Sequence, residues 1–239
     1  MAQKTVLVPE IGNILLSKRK GTRNIRLSIS AAGQVRVGLP AWAPYAAGIN
    51  FAKSRTDWIK KHQTSHQVEP LRHGASIGKS YHLQYFYDPS HGKTTTRLLP
   101  GEIRIISNLP AESPAVQKKA SQAAERALKK EAEKLLPIRL AELAARHGFS
   151  YKLVKIKKLR SRWGSCSNDK LITLNYFLMQ LPWPLIDYVL LHELTHTVHL
   201  NHSPSFWSDF EKAYPNAKQM RKQIRAWRPI INSPSPVVA

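Results

Sequence analysis

The chain has 239 residues, 42% of them hydrophobic and six of them Trp, enough to bury a core in one or two domains. Its single cysteine, Cys166, excludes an intrachain disulfide and suits a reducing compartment. Thirty-seven Lys and Arg against 15 Asp and Glu give a formal charge of +22, a field that draws polyanions such as nucleic acid or nucleotides.

The first ten residues, MAQKTVLVPE, lack the apolar core of a signal peptide, so the expected location is the cytoplasm. Residues 4–40 carry short apolar or alternating runs at Val6 and Val8, Ile14 to Leu16, Ile25, Leu27 and Ile29, and Val35 and Val37. With Ala32-Gly33 as a turn, they predict a small antiparallel sheet. Lys18, Arg19, Lys20, Arg23 and Arg26 load its first part with charge, as on a solvated strand edge. Residues 44–62 predict one helix, with Ala47, Phe51, Trp58 and Ile59 on its buried side. Beyond a polar loop through Pro70 and Gly74, Tyr81, Leu83, Tyr85 and Tyr87 alternate, and Ile103 and Ile105 do so again. These are strands, and His73, His82 and His91 among them share no ligand spacing.

Ser113-Pro114 opens a long helix that runs to His147, stops at Gly148 and is liable to kink at Pro137. It is expected to join a β-rich N-terminal part, 1–110, to a catalytic part, 111–232, with 233–239 a flexible tail. Residues 151–162 form a short basic strand, broken at 163–167 and resumed over 171–178. This predicts a hairpin whose outer strand borders the site and can hold an extended peptide by main-chain bonds. The most apolar region, 171–191, is interrupted by Asn175, Gln180, Pro182, Pro184 and Asp187, so it reads as strand, turn and buried helix rather than as a membrane span.

The stretch 190–207 carries the chemistry. His192, Glu193 and His196 form a His-Glu-x-x-His sequence in an apolar run that predicts a helix. Residues four apart lie on one helical face, so both imidazoles can reach one metal ion and Glu193 can face a water on it. Two histidines compete to be the third ligand. His199 lies on the same face if the helix continues. His202 follows Asn201, a residue that tolerates the left-handed turn ending a helix, and is the favoured choice. Ser203-Pro204 then starts another helix, with Phe206, Trp207 and Phe210 packed beneath the site, and 217–227 form a last amphipathic one.

Taken together and in order, Ser161-Arg162-Trp163-Gly164-Ser165-Cys166-Ser167, Asp187-Tyr188-Val189, His192-Glu193-Leu194-Thr195-His196 and Asn201-His202-Ser203-Pro204-Ser205-Phe206-Trp207 resemble the YgjP-like metal-dependent hydrolases. The resemblance implies an α+β, zincin-type fold with SprT-like relatives, a hairpin and a metal-binding helix. It also implies His192, His196 and His202 as ligands, Glu193 as catalytic carboxylate and Zn²⁺ as cofactor, with Mn²⁺, Co²⁺ or Ni²⁺ suited to the same ligands. The expected activity is that of a zinc-dependent hydrolase of metallopeptidase type, acting through a metal-bound water activated by Glu193.

The alternative that the family name carries is a nucleotide (UTP) pyrophosphatase at the same site. A third reading is a non-catalytic nucleic-acid-binding module with structural zinc. The partner is therefore a peptide or a nucleotide, with polyanion or nucleic-acid contact through the basic surface and no membrane. Arg162 is the cation to watch: its guanidinium suits a substrate carboxylate, a phosphate or an oxyanion, or else an acidic residue that fixes the hairpin. Cys166 is expected as a small buried thiol and Trp163 as core.

Overall fold

A computed structural model describes residues 3–30, 33–64 and 70–231, without the side chains of 62–64. The tail expected over 233–239 lies outside the described residues. The chain divides into two compact units, Met1–Val68 and Glu69–Ala239.

The first unit holds strands β1 (Gln3–Val8), β2 (Gly12–Arg19), β3 (Arg26–Ile29) and β4 (Val35–Pro40), then helices α1 (Tyr45–Lys53) and α2 (Thr56–Thr64). The sheet order is β1-β2-β4-β3. It is mixed rather than wholly antiparallel, because β3 pairs on the outer side of β4 and leaves β2 and β4 to run parallel. Alternation buries Ile14 and Leu16 on β2 and Val35, Val37 and Leu39 on β4 against Ala52 and Ile59. The expected single helix is two. Ser54 and Thr56 bond back to the carbonyls of Phe51 and Lys53, capping one helix as the next begins. Trp58 is 41% exposed rather than core, since Ile59 takes the inward position on α2.

The second unit opens with a sheet of β5 (Ser76–Ile77), β6 (Tyr81–Tyr87), β7 (Thr95–Leu99) and β8 (Glu102–Ser107) in the order β5-β6-β8-β7. Helix α3 (Pro114–His147) packs against this sheet. The division therefore falls before these strands, whereas the sequence boundary was drawn at 110. Helix α3 bears an inward line of Ala120, Ala124, Leu128, Leu136 and Leu140, all fully buried. It runs unbroken through Pro137, with Leu136 and Leu140 in the core on either side. Gly148, at φ +72°, ends it in the left-handed cap that glycine adopts without cost. A second such glycine, Gly78 at φ +69°, turns β5 into β6 under α3. There the buried Glu131 of α3 accepts hydrogen bonds from the Lys79 amide and the Ser80 hydroxyl, at 2.8 and 2.5 Å.

A three-stranded sheet follows: β9 (Leu153–Lys157), β10 (Gly164–Cys166) and β11 (Leu171–Asn175), in the order β10-β11-β9. The hairpin is β10 with β11, not the basic strand with β11, and β9 runs parallel to β11 on its far side. The segment expected to break the strand is thus itself an edge strand. A 3-10 turn, Tyr176–Gln180, leads into α4 (Trp183–Thr195), then α5 (Pro204–Ala213) and α6 (Ala217–Ile224). Among the described residues no helix is long and apolar enough to cross a membrane.

Candidate metal centre

Helix α4 is held on several sides. Pro182 is its cap residue and Pro184 sits in its first turn, where a missing amide costs nothing. Leu185, Ile186, Val189, Leu190 and Leu194 are buried, so the helix is apolar nearly all round and belongs inside the unit. Arg139 of α3 clamps it with a two-pronged ion pair, Nε and Nη2 donating to the Asp187 carboxylate at 2.8 and 2.6 Å. That pairing holds the guanidinium firmly protonated.

The helix ends at Thr195, with His196 as its cap, and the two candidate third ligands part beyond it. His199 turns away and binds Asp209 of α5 through Nε2, at 2.8 Å. His202 comes back to α4, its Nε2 3.1 Å from Nε2 of His192. One nitrogen each of His192, His196 and His202 lie within 4.8 Å of one another. His196 Nδ1 donates to the His199 carbonyl at 2.9 Å, which leaves Nε2 of that ring with its lone pair. His192 Nδ1 is buried without a hydrogen-bond partner among the described residues, and the ring is set by Tyr188, Phe206 and Phe210, with centroids 6.2, 5.1 and 5.5 Å away. Burial drives the His192 ring down to about 3 and lowers His202 as well, so both favour the neutral form.

This set fits a divalent metal. Two imidazole nitrogens on one tetrahedral zinc stand about 3.3 Å apart, given bonds of about 2.0–2.1 Å. The 3.1 Å approach of two ring nitrogens is close to that spacing, and a cation relieves the repulsion of their lone pairs.

Glu193 is buried at 5% exposure, and its carboxylate lies against the backbone of β10. A Cβ on Gly164 would stand 2.7 Å from Glu193 Oε1 and 2.8 Å from its Cγ, so only glycine leaves the room. Burial pushes the carboxyl up to about 8, while the charge of Arg162 pulls the other way. A cavity of about 490 Å³ opens over these groups. Arg162, Ser165 and Cys166 line it from the β10 side, Tyr188 and Val189 from α4, and Leu200 and Ile224 from the helical end. Trp163 is half-buried, packed on the core and also lining the cavity. The loop into β10 is fixed by the buried Asn175, whose amide donates to the carbonyls of Leu159 and Arg162 at 2.9 Å. Arg162 itself forms no ion pair among the described residues, so the hairpin does not depend on its charge.

The model of the YgjP-like metallopeptidase domain matches residues 23–226. The chain belongs to this family. YgjP-like membership makes it a metal-dependent hydrolase of the metallopeptidase class and implies a divalent metal, which the three histidines could hold. Among curated proteins there is no significant match. Solved structures similar to part of this YgjP-like chain include the metallopeptidase zymogen of Pyrococcus abyssi abylysin. It is 30% identical, the match covers 36% of this chain and 87% of that one, and the TM-score is 0.33. The metallopeptidase zymogen of Methanocaldococcus jannaschii jannalysin is 20% identical over 36% and 89%, with a TM-score of 0.32.

The sequence reading missed three parts of the site. Tyr188 stands four residues before His192, the spacing that paired His192 with His196, and so had a signal. Gly164 read as a strand breaker. Leu200 lies between His199 and His202, while Ile224 reaches the cavity only through the packing of α6, which no local pattern records.

Proposed function

We propose that this chain is a zinc peptidase in which His192, His196 and His202 hold the metal and Glu193 is the general base. The observation that carries the reading is the convergence of three imidazole nitrogens beside a buried carboxylate at the floor of an open cavity. Three imidazoles leave a fourth position free, the mark of a catalytic rather than a structural site. Zinc supplies there a polarised water, its pKa lowered to about 7, and a Lewis acid for the substrate carbonyl.

The chain's own groups do the rest. Glu193 takes a proton from the attacking water at a carboxylate oxygen and passes it to the departing amine. Gly164 lets that carboxylate sit against β10, which limits its motion. Strand β10 pairs only with β11 among the described residues, so its outer edge can bind an extended peptide by main-chain hydrogen bonds. Arg162 brings positive charge near Glu193, suited to the oxyanion that develops as the carbonyl is attacked.

The test is cleavage of a mixed peptide library by zinc-loaded protein, beside Glu193→Gln, with UTP assayed in parallel for pyrophosphate. Expected are peptide products, a rate about 10²–10⁴-fold lower in the variant, and the same zinc content in both. Pyrophosphate release that vanishes in the variant, without peptide cleavage, would replace the peptide by a nucleotide.

A further inference from the structure

Arg162 lines the catalytic cavity beside β10 and Arg221 stands beside it, over the Trp207 ring; neither forms an ion pair among the described residues. Arg221 comes from α6, one helical turn before Ile224, which also lines the cavity. The Arg221 guanidinium lies over the Trp207 ring, 4.8 Å from its centroid, and the same ring is stacked on His202 at 5.8 Å. A guanidinium over an aromatic face is held in place while its N–H groups, which point outward in its plane, keep their bonding capacity. The charge of Arg221 reaches Tyr188, His192 and His202.

The acids nearby are spoken for. Asp209 binds His199 and Lys212, Glu211 binds Lys218, and Asp187 binds Arg139. Glu193 is the one carboxylate among the described residues that line the cavity. A divalent metal on three neutral histidines would add two more positive charges. With that metal bound the cavity would carry net positive charge, and a cleft focuses such a field.

We propose that Arg221, stacked on Trp207, is a specificity residue that binds a carboxylate of the peptide substrate, either an acidic side chain near the scissile bond or the chain's own C-terminus. This rests on the peptidase reading, and the test separates the two. Three peptides of one length serve as probes: an Asp peptide blocked at both ends, its Asn counterpart blocked at both ends, and the Asn peptide with a free C-terminal carboxylate. Their binding to the metal-free full chain is followed by calorimetry, and their cleavage by the zinc-loaded chain is followed separately.

At least one carboxylate peptide is expected to bind about tenfold more tightly than the blocked Asn peptide, and which one does so names the source. Arg221→Met removes that preference and leaves the blocked peptide's affinity unchanged. Lys222→Met, which deletes the same charge one residue along, keeps the preference. Equal affinity for all three peptides, absence of binding, a preference that survives Arg221→Met, or an equal loss for all three in that variant each overturn the proposal. A carboxylate preference lost in Arg221→Met without cleavage of any peptide upholds it and counts against the peptidase reading instead.

Discussion

At Gly164 the lack of a side chain is what allows the Glu193 carboxylate to lie on β10. Gly164→Ala forces a Cβ to within 2.7 Å of Glu193 Oε1, so the carboxylate must move. Hydrolysis is expected to fall at least tenfold with zinc content unchanged, because misplacing a catalytic group by a fraction of its length is costly. Rates and metal analysis on the purified variant check this, and equal rates would contradict it. The two rival histidines separate in the same way. His202→Ala should lose tight metal binding, whereas His199→Ala, whose side chain serves Asp209, should keep it; competition with a chelator reads the difference. Burial, more than the nearby charge of Glu193, pushes the Cys166 thiol up to about 11. It is therefore a neutral thiol at pH 8, and its alkylation by iodoacetamide should quicken as pH rises toward 11. Rapid, pH-independent labelling near pH 8 would contradict the assignment. At this scale the three-histidine cluster was legible, since helical spacing brings two of its members together without tertiary information. Arg221 was not, because its place depends on how α6 packs beside Trp207.

The elements explain how the site is held. Helix α4 is tied to α3 by Arg139 and Asp187, partly buried and bonded at two points. Asp187→Ala leaves that guanidinium with Glu142 alone as its acidic partner among the described residues and should destabilise the second unit by about 1–3 kcal/mol, seen in denaturant unfolding. The three-stranded sheet shows where element-level reading failed. A basic, alternating segment looks like the strand that pairs with its neighbour in sequence. Here it lies instead on the far side of β11, and the short Gly-Ser-Cys segment takes the edge beside the three-histidine cluster. Asn175, fully buried, decides this by bonding the carbonyls of Leu159 and Arg162, and no local propensity encodes such a long-range bond. The long helix α3 was legible almost to the residue, because Pro114 at its start, Gly148 at its end and its alanine-rich composition act locally, although the Ser113 side chain makes no capping bond. Its continuity through Pro137 was not, since buried leucines on both sides override the lost backbone bond.

For the molecule as a whole, all proposed ligands, the base and the cavity belong to the second unit, Glu69–Ala239. The α+β class was legible from the alternation of periodic segments. The boundary was not, because the second sheet resembles the first in sequence pattern and only its packing on α3 assigns it. A chain beginning at Pro70 is expected to fold and to bind one zinc, as measured by circular dichroism and metal analysis. X-ray absorption at the zinc edge of the loaded full-length protein tests the central claim most directly. Three imidazole nitrogens at about 2.0–2.1 Å with one exchangeable oxygen are expected, and one imidazole should be lost in His202→Ala. A sulfur at about 2.3 Å, or a fourth protein nitrogen, would mean a closed structural site and would contradict the hydrolytic account.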